Sequence, residues 1–156
     1  MMKGIRWGAH ISEFPDMVFI GDLGGGKRVY RGEGDRMKLG DIDIGAVLYG
    51  FYKDRLEDVQ LHFRTSANFQ SLKEQWFRIY GPGRQPNRSR EIYHWSSDKF
   101  SMVLAYDKLS GKGTIGSTYV TIYRQRQQMK RNLEELQEKV EKFKMVRKEV
   151  FQSIRR

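Results

Sequence analysis

The sequence lacks cysteine altogether, and this absence removes several kinds of chemistry at once. Without thiols there is no disulfide framework, no thiolate zinc site and no cysteine nucleophile. Long apolar runs are also missing, since no stretch approaches the ~18 residues that a membrane-spanning helix needs. The first residues, MMKGIRWGAH, contain no apolar signal region. We therefore expect a soluble protein with no targeting segment in this sequence, cytoplasmic by default and periplasmic if an upstream signal was removed.

Signatures of catalysis and metal binding are equally scarce. The histidines His10, His62 and His94 are far apart and form neither an HxH nor an HExxH pattern. No GxSxG nucleophile motif occurs either. Asp41 and Asp43 could share one face of a short strand, but a solvated edge or a turn explains them better than acid–base chemistry does. We expect no enzyme activity, no bound metal and no cofactor.

What the sequence does have is aromatic residues and positive charge. Phe, Trp and Tyr make up 13% of the 156 residues, which is typical of one folded domain with a real core. The formal net charge is +10. Residues 124–156 hold 11 Lys or Arg against 5 Asp or Glu, whereas residues 1–123 hold 18 against 14. The concentration of basic charge in the last fifth of the chain favours an acidic partner: nucleic acid, anionic lipid or an acidic protein.

Residues 1–123 have the pattern of antiparallel strands. In LEDVQLHFR, apolar and polar residues alternate, which predicts a half-buried strand with Val59, Leu61 and Phe63 inward. The preceding run AVLYGFY ends at the polar pair Lys53-Asp54, which predicts a hairpin. Later, EIYHW, FSMVLAY and STYVTIY predict a three-stranded meander. In its middle strand one face carries Phe100, Met102, Leu104 and Tyr106.

Two helices are predicted within this region. Ser66 is a candidate cap for a helix that ends at Gly81–Gly83, with an apolar face formed by Phe69, Leu72, Trp76 and Ile79. A shorter helix is predicted to start at Ser12, with Pro15 in its first turn. The expected fold class is therefore α+β: antiparallel meanders with one or two helices packed on one face, followed by a long C-terminal helix.

The stretch FIGDLGGGKRVY, Phe19 to Tyr30, contains most of a P-loop pattern. A P-loop requires Ser or Thr after its lysine and then a helix, whereas Lys27 is followed by Arg28 and a strand-like run. A glycine-rich hairpin turn is the favoured interpretation. The cations Lys27, Arg28 and Arg31 could still contribute to a basic surface.

Residues 124–156 contain neither glycine nor proline and predict one long helix. Its apolar residues follow the 4-3-4-3 spacing of a heptad repeat and then drift towards a 3.6-residue period. We therefore divide the chain into an α+β domain, 1–123, and a helical extension of it, 124–156. The apolar stripe predicts a coiled-coil-like surface for a homo-oligomer or another protein, formed by Met129, Leu133, Leu136, Val140, Phe143, Val146, Val150 and Ile154.

Basic residues support an alternative function. The Pro/Gly-rich loop GPGRQPNRSR presents several arginines directly after a predicted helix, where they could grip phosphates. With the glycine-rich turn and the start of the C-terminal helix, the candidate anion-binding residues are Lys27, Arg28, Arg84, Arg88, Arg90, Arg124, Arg126, Lys130 and Arg131. The alternative partner is then nucleic acid or an anionic membrane surface. The mixed charge signs of the helix favour a salt-bridged helical surface over a dedicated DNA-binding helix.

The opening GIRWGAHISEFPDM, and in particular Gly4, Ile5, Trp7 and Gly8, resembles the start of small uncharacterised bacterial α/β domains, many of them exported. Over Gly4 to Tyr123 the chain is more remotely similar to the SmpA-type outer-membrane-assembly lipoproteins. That resemblance implies a binding scaffold rather than an enzyme, and it supplies no functional residues. The chain departs from the family pattern because it has no lipidated cysteine and carries the long C-terminal helix.

Overall fold

The computed structural model describes residues 4–32 and 37–155. The contacts within the chain define two compact units, Met1–Tyr123 and Arg124–Arg156. In its described part, the first unit is an antiparallel sheet with a helix packed on it, and the second is a continuous helix. The predicted α+β fold with a long C-terminal helix is therefore confirmed.

Seven strands form one antiparallel sheet in the order β1-β2-β5-β6-β9-β8-β7. Their bounds are Met17–Gly24 (β1), Lys27–Gly32 (β2), Ala46–Tyr52 (β5), Arg55–Arg64 (β6), Glu91–Ser96 (β7), Phe100–Asp107 (β8) and Lys112–Tyr119 (β9). Two short strands, Met37–Leu39 (β3) and Ile42–Ile44 (β4), form a separate hairpin. The predicted meander is confirmed as β7, β8 and β9, and the pairing of β6 with β9 joins it to the preceding strands.

The glycine-rich stretch is a hairpin turn between β1 and β2, as predicted. Gly24, Gly25 and Gly26 have φ values of 80°, 60° and 85°, which glycine adopts without the penalty that a Cβ brings. A P-loop requires a helix directly after its loop, whereas strand β2 follows this turn, so the P-loop interpretation is excluded.

The core lies between the sheet and helix α1, Ser66–Tyr80. The inward residues of β6 are buried as predicted, and Leu104 of β8 lies on the same face. From α1, the Phe69 ring stacks on Tyr106 with centroids 4.8 Å apart, and Trp76 meets Trp95 edge-on at 5.5 Å. Aromatic packing therefore fixes α1 on one face of the sheet.

Helix α1 differs from its predicted form at both ends. Thr65, rather than Ser66, is the cap: its hydroxyl oxygen accepts a hydrogen bond from the Asn68 backbone N–H at 3.3 Å. Ile79, predicted to be buried, is 67% exposed. The inward position of the last turn is taken by Tyr80, whose ring contacts Trp76 one turn earlier.

Two further predictions are corrected near the ends of the first unit. The expected helix at Ser12 is a 3-10 turn, Ile11–Glu13, which His10 caps and which ends before Pro15. The strand predicted for STYVTIY lies earlier in the chain, at Lys112–Tyr119, and the last four residues of that run, from Val120, belong to helix α2. The Val120 N–H donates to the Lys99 carbonyl at 2.9 Å. Tertiary context therefore overrides the strand preference of the β-branched residues here.

Candidate interaction surface on the C-terminal helix

Helix α2 spans 35 residues, Val120–Ile154. Its composition, rich in Glu, Lys, Arg, Gln, Leu and Met, favours helix at most positions. Ile122 in the first turn is buried. From residue 124 to 155, by contrast, every side chain is exposed except the half-buried Arg126 and Gln127. The helix is therefore solvated along nearly all of the second unit.

Eight apolar side chains form one stripe on this solvated helix. Their exposed fractions run from 39% at Met129 to 73% at Ile154. Residues three and four apart lie on the same helix face, so the stripe is continuous. We call it the seam: Met129, Leu133, Leu136, Val140, Phe143, Val146, Val150 and Ile154. The structure places every predicted seam residue on the surface, where a partner can reach it.

The seam follows heptad positions. With Met129 at position d, the a and d sites through Phe143 are all apolar. Continued in the same register, Arg147 occupies an a position, Val150 a d position and Ile154 the next a position, while Val146 falls at g. The seam therefore has a strict 3.5-residue period in its first half and is wider in its second half.

Basic and acidic residues occupy different helix positions around the seam. The e and g positions that flank it carry three lysines, Lys130, Lys139 and Lys144, and no carboxylate. All the acidic residues of the helix lie at the outer b, c and f positions: Glu134, Glu135, Glu138, Glu141 and Glu149. Near its C-terminal end, a shallow groove is lined by Lys144, Arg147, Lys148, Phe151, Gln152 and Arg155. The edges of the apolar stripe are therefore basic, and the opposite face is mixed.

Of the predicted anion-binding residues on α2, most but not all are exposed to solvent. At the start of the second unit, Arg124, Lys130 and Arg131 are exposed, whereas Arg126 is half-buried. The Arg131 guanidinium donates a hydrogen bond to Gln128 at 2.8 Å, within the helix. Three exposed cations therefore remain near the beginning of the helix.

The predicted basic loop is ordered by its own hydrogen bonds. Arg84 pairs with His94 of β7 through two backbone hydrogen bonds of 2.9 Å. The Asn87 side-chain oxygen accepts from the Ser89 N–H at 2.9 Å, which tightens the turn. The side chains of Arg84, Arg88 and Arg90 are exposed. The loop therefore presents all three arginines to solvent from a fixed backbone.

Lys27, predicted to bind an anion, is instead buried in ion pairs. Its side chain is 9% exposed, and its ammonium lies 3.1 Å from a Glu57 carboxylate oxygen and also forms an ion pair with Asp58. Glu57 is itself almost completely buried. Because this cation is buried and already paired with two carboxylates, it is not presented to an external anion. Lys27 therefore serves the fold and not a ligand.

Arg28 stays exposed but has internal partners. Its guanidinium lies 3.5 Å from Asp22 across the hairpin. Its hydrogen bond with Tyr30, and then the one with Asp22, raise the pKa of Arg28 above its ordinary value. Arg28 is therefore held by interactions within the hairpin.

The histidines and the paired aspartates lie at separate places in the fold. His10 caps the 3-10 turn through Nδ1, and His94 is half-buried on edge strand β7. His62 is half-buried on β6, and this burial lowers its pKa. Asp43 is solvated and lies 3.7 Å from Lys38 across the β3–β4 hairpin, while Asp41 lies in the turn between these strands. Within residues 4–32 and 37–155, no group of three potential ligands is arranged to hold a metal ion.

Two cavities that the sequence did not indicate lie at one end of the sheet, and both are lined by Lys112 and Gly113. One, of about 720 Å³, reaches Arg90, Ile92 and Thr114. The other, of about 510 Å³, reaches His62 and Arg64. Their lining residues come from separate strands and turns, so only the tertiary structure brings them together.

Comparison of the chain with protein-family models, with curated protein sequences and with solved structures gave no match. The resemblance to SmpA-type lipoproteins therefore stays a prediction. None of the helices in the described part of the chain is long and apolar enough to cross a bilayer.

Proposed function

We propose that this protein is a non-catalytic interaction module and that the seam of α2 docks against a helix of a partner protein. The observation that carries the proposal is the exposure of all eight seam residues, at least 39% in each case. A continuous apolar stripe on a solvated helix is typical of a protein–protein contact. The binding scaffold implied by the SmpA-type resemblance agrees with this role.

The spacing favours a helix over a lipid surface as the occupant. A strict 3.5-residue period over Met129–Phe143 keeps apolar side chains facing one partner helix, a constraint that a flat membrane does not impose. The helix also has no tryptophan or tyrosine after Tyr123. Those residues commonly anchor helices at a bilayer interface.

Site-specific photo-cross-linking of the full chain tests this function. A photoreactive phenylalanine analogue replaces Leu136 in the seam or, as a matched control, Met145, which is exposed at an f position outside it. We expect one discrete adduct from position 136 and none from 145, with the attachment site in a helical segment of the partner. Equal labelling from both positions, or none from 136, would contradict the proposal.

A second candidate function rests on the exposed arginines of the loop Gly81–Arg90. Arg84, Arg88 and Arg90 project from an ordered backbone, as phosphate-binding arginines do. Binding to nucleic acid would weaken steeply with salt, because each phosphate contact releases counterions. A variant with all three arginines changed to Ser should then lose most of its affinity. Negligible binding of the unaltered chain to DNA or RNA at about 50 mM salt contradicts this candidate.

A further inference from the structure

We propose that the partner of the seam is an amphipathic helix whose own apolar stripe is flanked by aspartate or glutamate. This inference rests on the proposed docking function and adds the chemical class of the partner. Lys130, Lys139 and Lys144 occupy the flanking e and g positions, and no acidic residue does. In paired helices these positions face the flanks of the other helix and decide which partners are accepted.

A second copy of this chain fits the seam poorly. In a parallel pair, position g of one helix faces position e of the next heptad on the other, so Lys139 would meet Lys144. In an antiparallel pair, e faces e and g faces g, which again opposes lysine with lysine or with a neutral residue. Lys144 makes an ion pair of 3.1 Å with Glu141, but both groups are largely exposed and the pair is weak.

Arg147, which interrupts the apolar a and d positions, also favours an acidic partner. It occupies an a position, where a side chain inserts between residues of the partner helix. Its guanidinium lies over the Phe151 ring at 5.5 Å, at the edge of the basic groove. Pairing with a second copy would bring further positive charge towards this groove. A partner carboxylate opposite Arg147 would instead neutralise it and fix the register of the two helices.

The test uses the full chain and two synthetic peptides of identical composition. Both are four-heptad helices with leucine at a and d. One has glutamate at e and g and lysine at b and c, and the other exchanges glutamate and lysine. Fluorescence anisotropy of each labelled peptide gives its Kd. We expect the peptide with acidic flanks to bind about tenfold or more tightly at low salt, with a difference that shrinks as salt screens the charges.

Charge reversal in the protein supplies the matched control. The triple variant Lys130→Glu, Lys139→Glu, Lys144→Glu should prefer the peptide with basic flanks. The control triple Arg131→Glu, Lys142→Glu, Lys148→Glu makes the same change of net charge at the outer f, c and b positions. It should keep the original preference, because those positions face away from the partner.

Each other outcome overturns the inference in a distinguishable way. If both peptides bind with equal Kd and Leu136→Asp abolishes the binding of both, the docking function stands and the inference of an acidic partner is wrong. If neither peptide binds, both the docking function and the acidic partner are contradicted. Sedimentation of the unaltered chain as a dimer that Leu136→Asp dissociates assigns the seam to a second copy. Binding to phosphatidylserine-containing vesicles in place of both peptides assigns it to a lipid surface.

Discussion

The two units of the chain differ in the burial of their apolar side chains. In the described residues of Met1–Tyr123, sheet and helix bury one aromatic-rich core. Ile122, at 5% exposed, is the last buried apolar residue in the described part of the chain. In Arg124–Arg156, the large apolar side chains are all at least 39% exposed. Most helical stability in proteins comes from packing of an apolar face. The first unit supplies that packing internally, whereas the apolar face of the second unit is exposed.

Charged residues show the same contrast. In the first unit, Lys27 is buried with Glu57 and Asp58, so its charge is compensated within the fold. In the second unit, Lys144 and Glu141 form an ion pair in which both side chains are more than 60% exposed. A buried ion pair cannot lose one member without a large cost, whereas an exposed pair can. Matched substitutions in the two units should therefore differ widely in effect.

The largest expected difference is between two phenylalanines. Phe69 is 1% exposed and Phe143 is 70% exposed. Phe69→Ala should reduce the free energy of unfolding by about 3–5 kcal/mol, because it removes a buried ring and leaves a cavity. Phe143→Ala should change it by less than about 0.5 kcal/mol. Urea unfolding followed by tryptophan fluorescence measures this, since all three tryptophans lie in the first unit. Similar losses in both variants would show that the seam is already packed in the isolated protein.

A smaller difference is expected between two lysines. Lys27→Met breaks the buried ion pair with Glu57, and breaking a buried pair should cost about 3 kcal/mol. Lys144→Met removes only the exposed pair with Glu141, and its cost should stay below about 1 kcal/mol. The same urea experiment measures both. If the double variant Lys27→Met, Glu57→Leu restores the stability, the cost arises from breaking the Lys27–Glu57 pair.

A moderate effect is expected on acid stability. The hydrogen bond from the Tyr93 hydroxyl, with help from Lys73 and Lys108, holds the pKa of Glu91 below its ordinary value of 4.5. Because the folded state binds the proton less tightly, this stabilisation is complete above pH 4.5 and is lost as pH falls through the folded pKa. Glu91→Gln should cost about 1–2 kcal/mol at pH 7 and flatten the acid dependence.

Urea midpoints measured between neutral pH and pH 3 test this effect. The matched variant Glu141→Gln, in the second unit, should leave the acid dependence as it is in the unaltered protein. Burial of His62 adds a separate decline, because it lowers the pKa of that imidazole and so destabilises the fold as pH falls below 6.5. His62→Gln should remove that higher-pH component alone. An unchanged acid dependence in Glu91→Gln would contradict the role assigned to the Tyr93–Glu91 hydrogen bond.

Local patterns allowed the sequence to predict much of the fold. Alternation predicts Val59, Leu61 and Phe63 inward, where the structure buries them, and the heptad spacing predicts the apolar stripe that is exposed on α2. The errors arose where tertiary contacts decide. Ile79 fits the apolar period of α1, yet Tyr80 takes the inward position against Trp76. Such a choice depends on the shape of the neighbouring surface, which periodicity does not encode.

The candidate site also contains features that the sequence predicts and features that depend on tertiary contacts. The seam and its flanking lysines could be read from the sequence because they lie on one helix with a fixed period. The burial of Lys27 could not, because its partners Glu57 and Asp58 are about 30 residues away and meet it only through strand pairing. The same applies to Glu91, whose partners include Lys73 of α1. Charge counts alone therefore predict Lys27 on an anion-binding surface, whereas the structure buries it in ion pairs.

The smallest effect on stability, and the sharpest test of the contrast, is expected for Arg147→Leu. This change extends the apolar a/d seam past Phe143 and removes a cation that opposes pairing with a second copy. The urea midpoint of the first unit should stay unchanged, since residue 147 lies outside its core. Sedimentation velocity should nevertheless show more self-association than in the unaltered chain. The control Arg131→Leu, at an outer f position, should not self-associate more. If both variants associate equally, added apolar surface alone is responsible, and Arg147 has no role in partner selection.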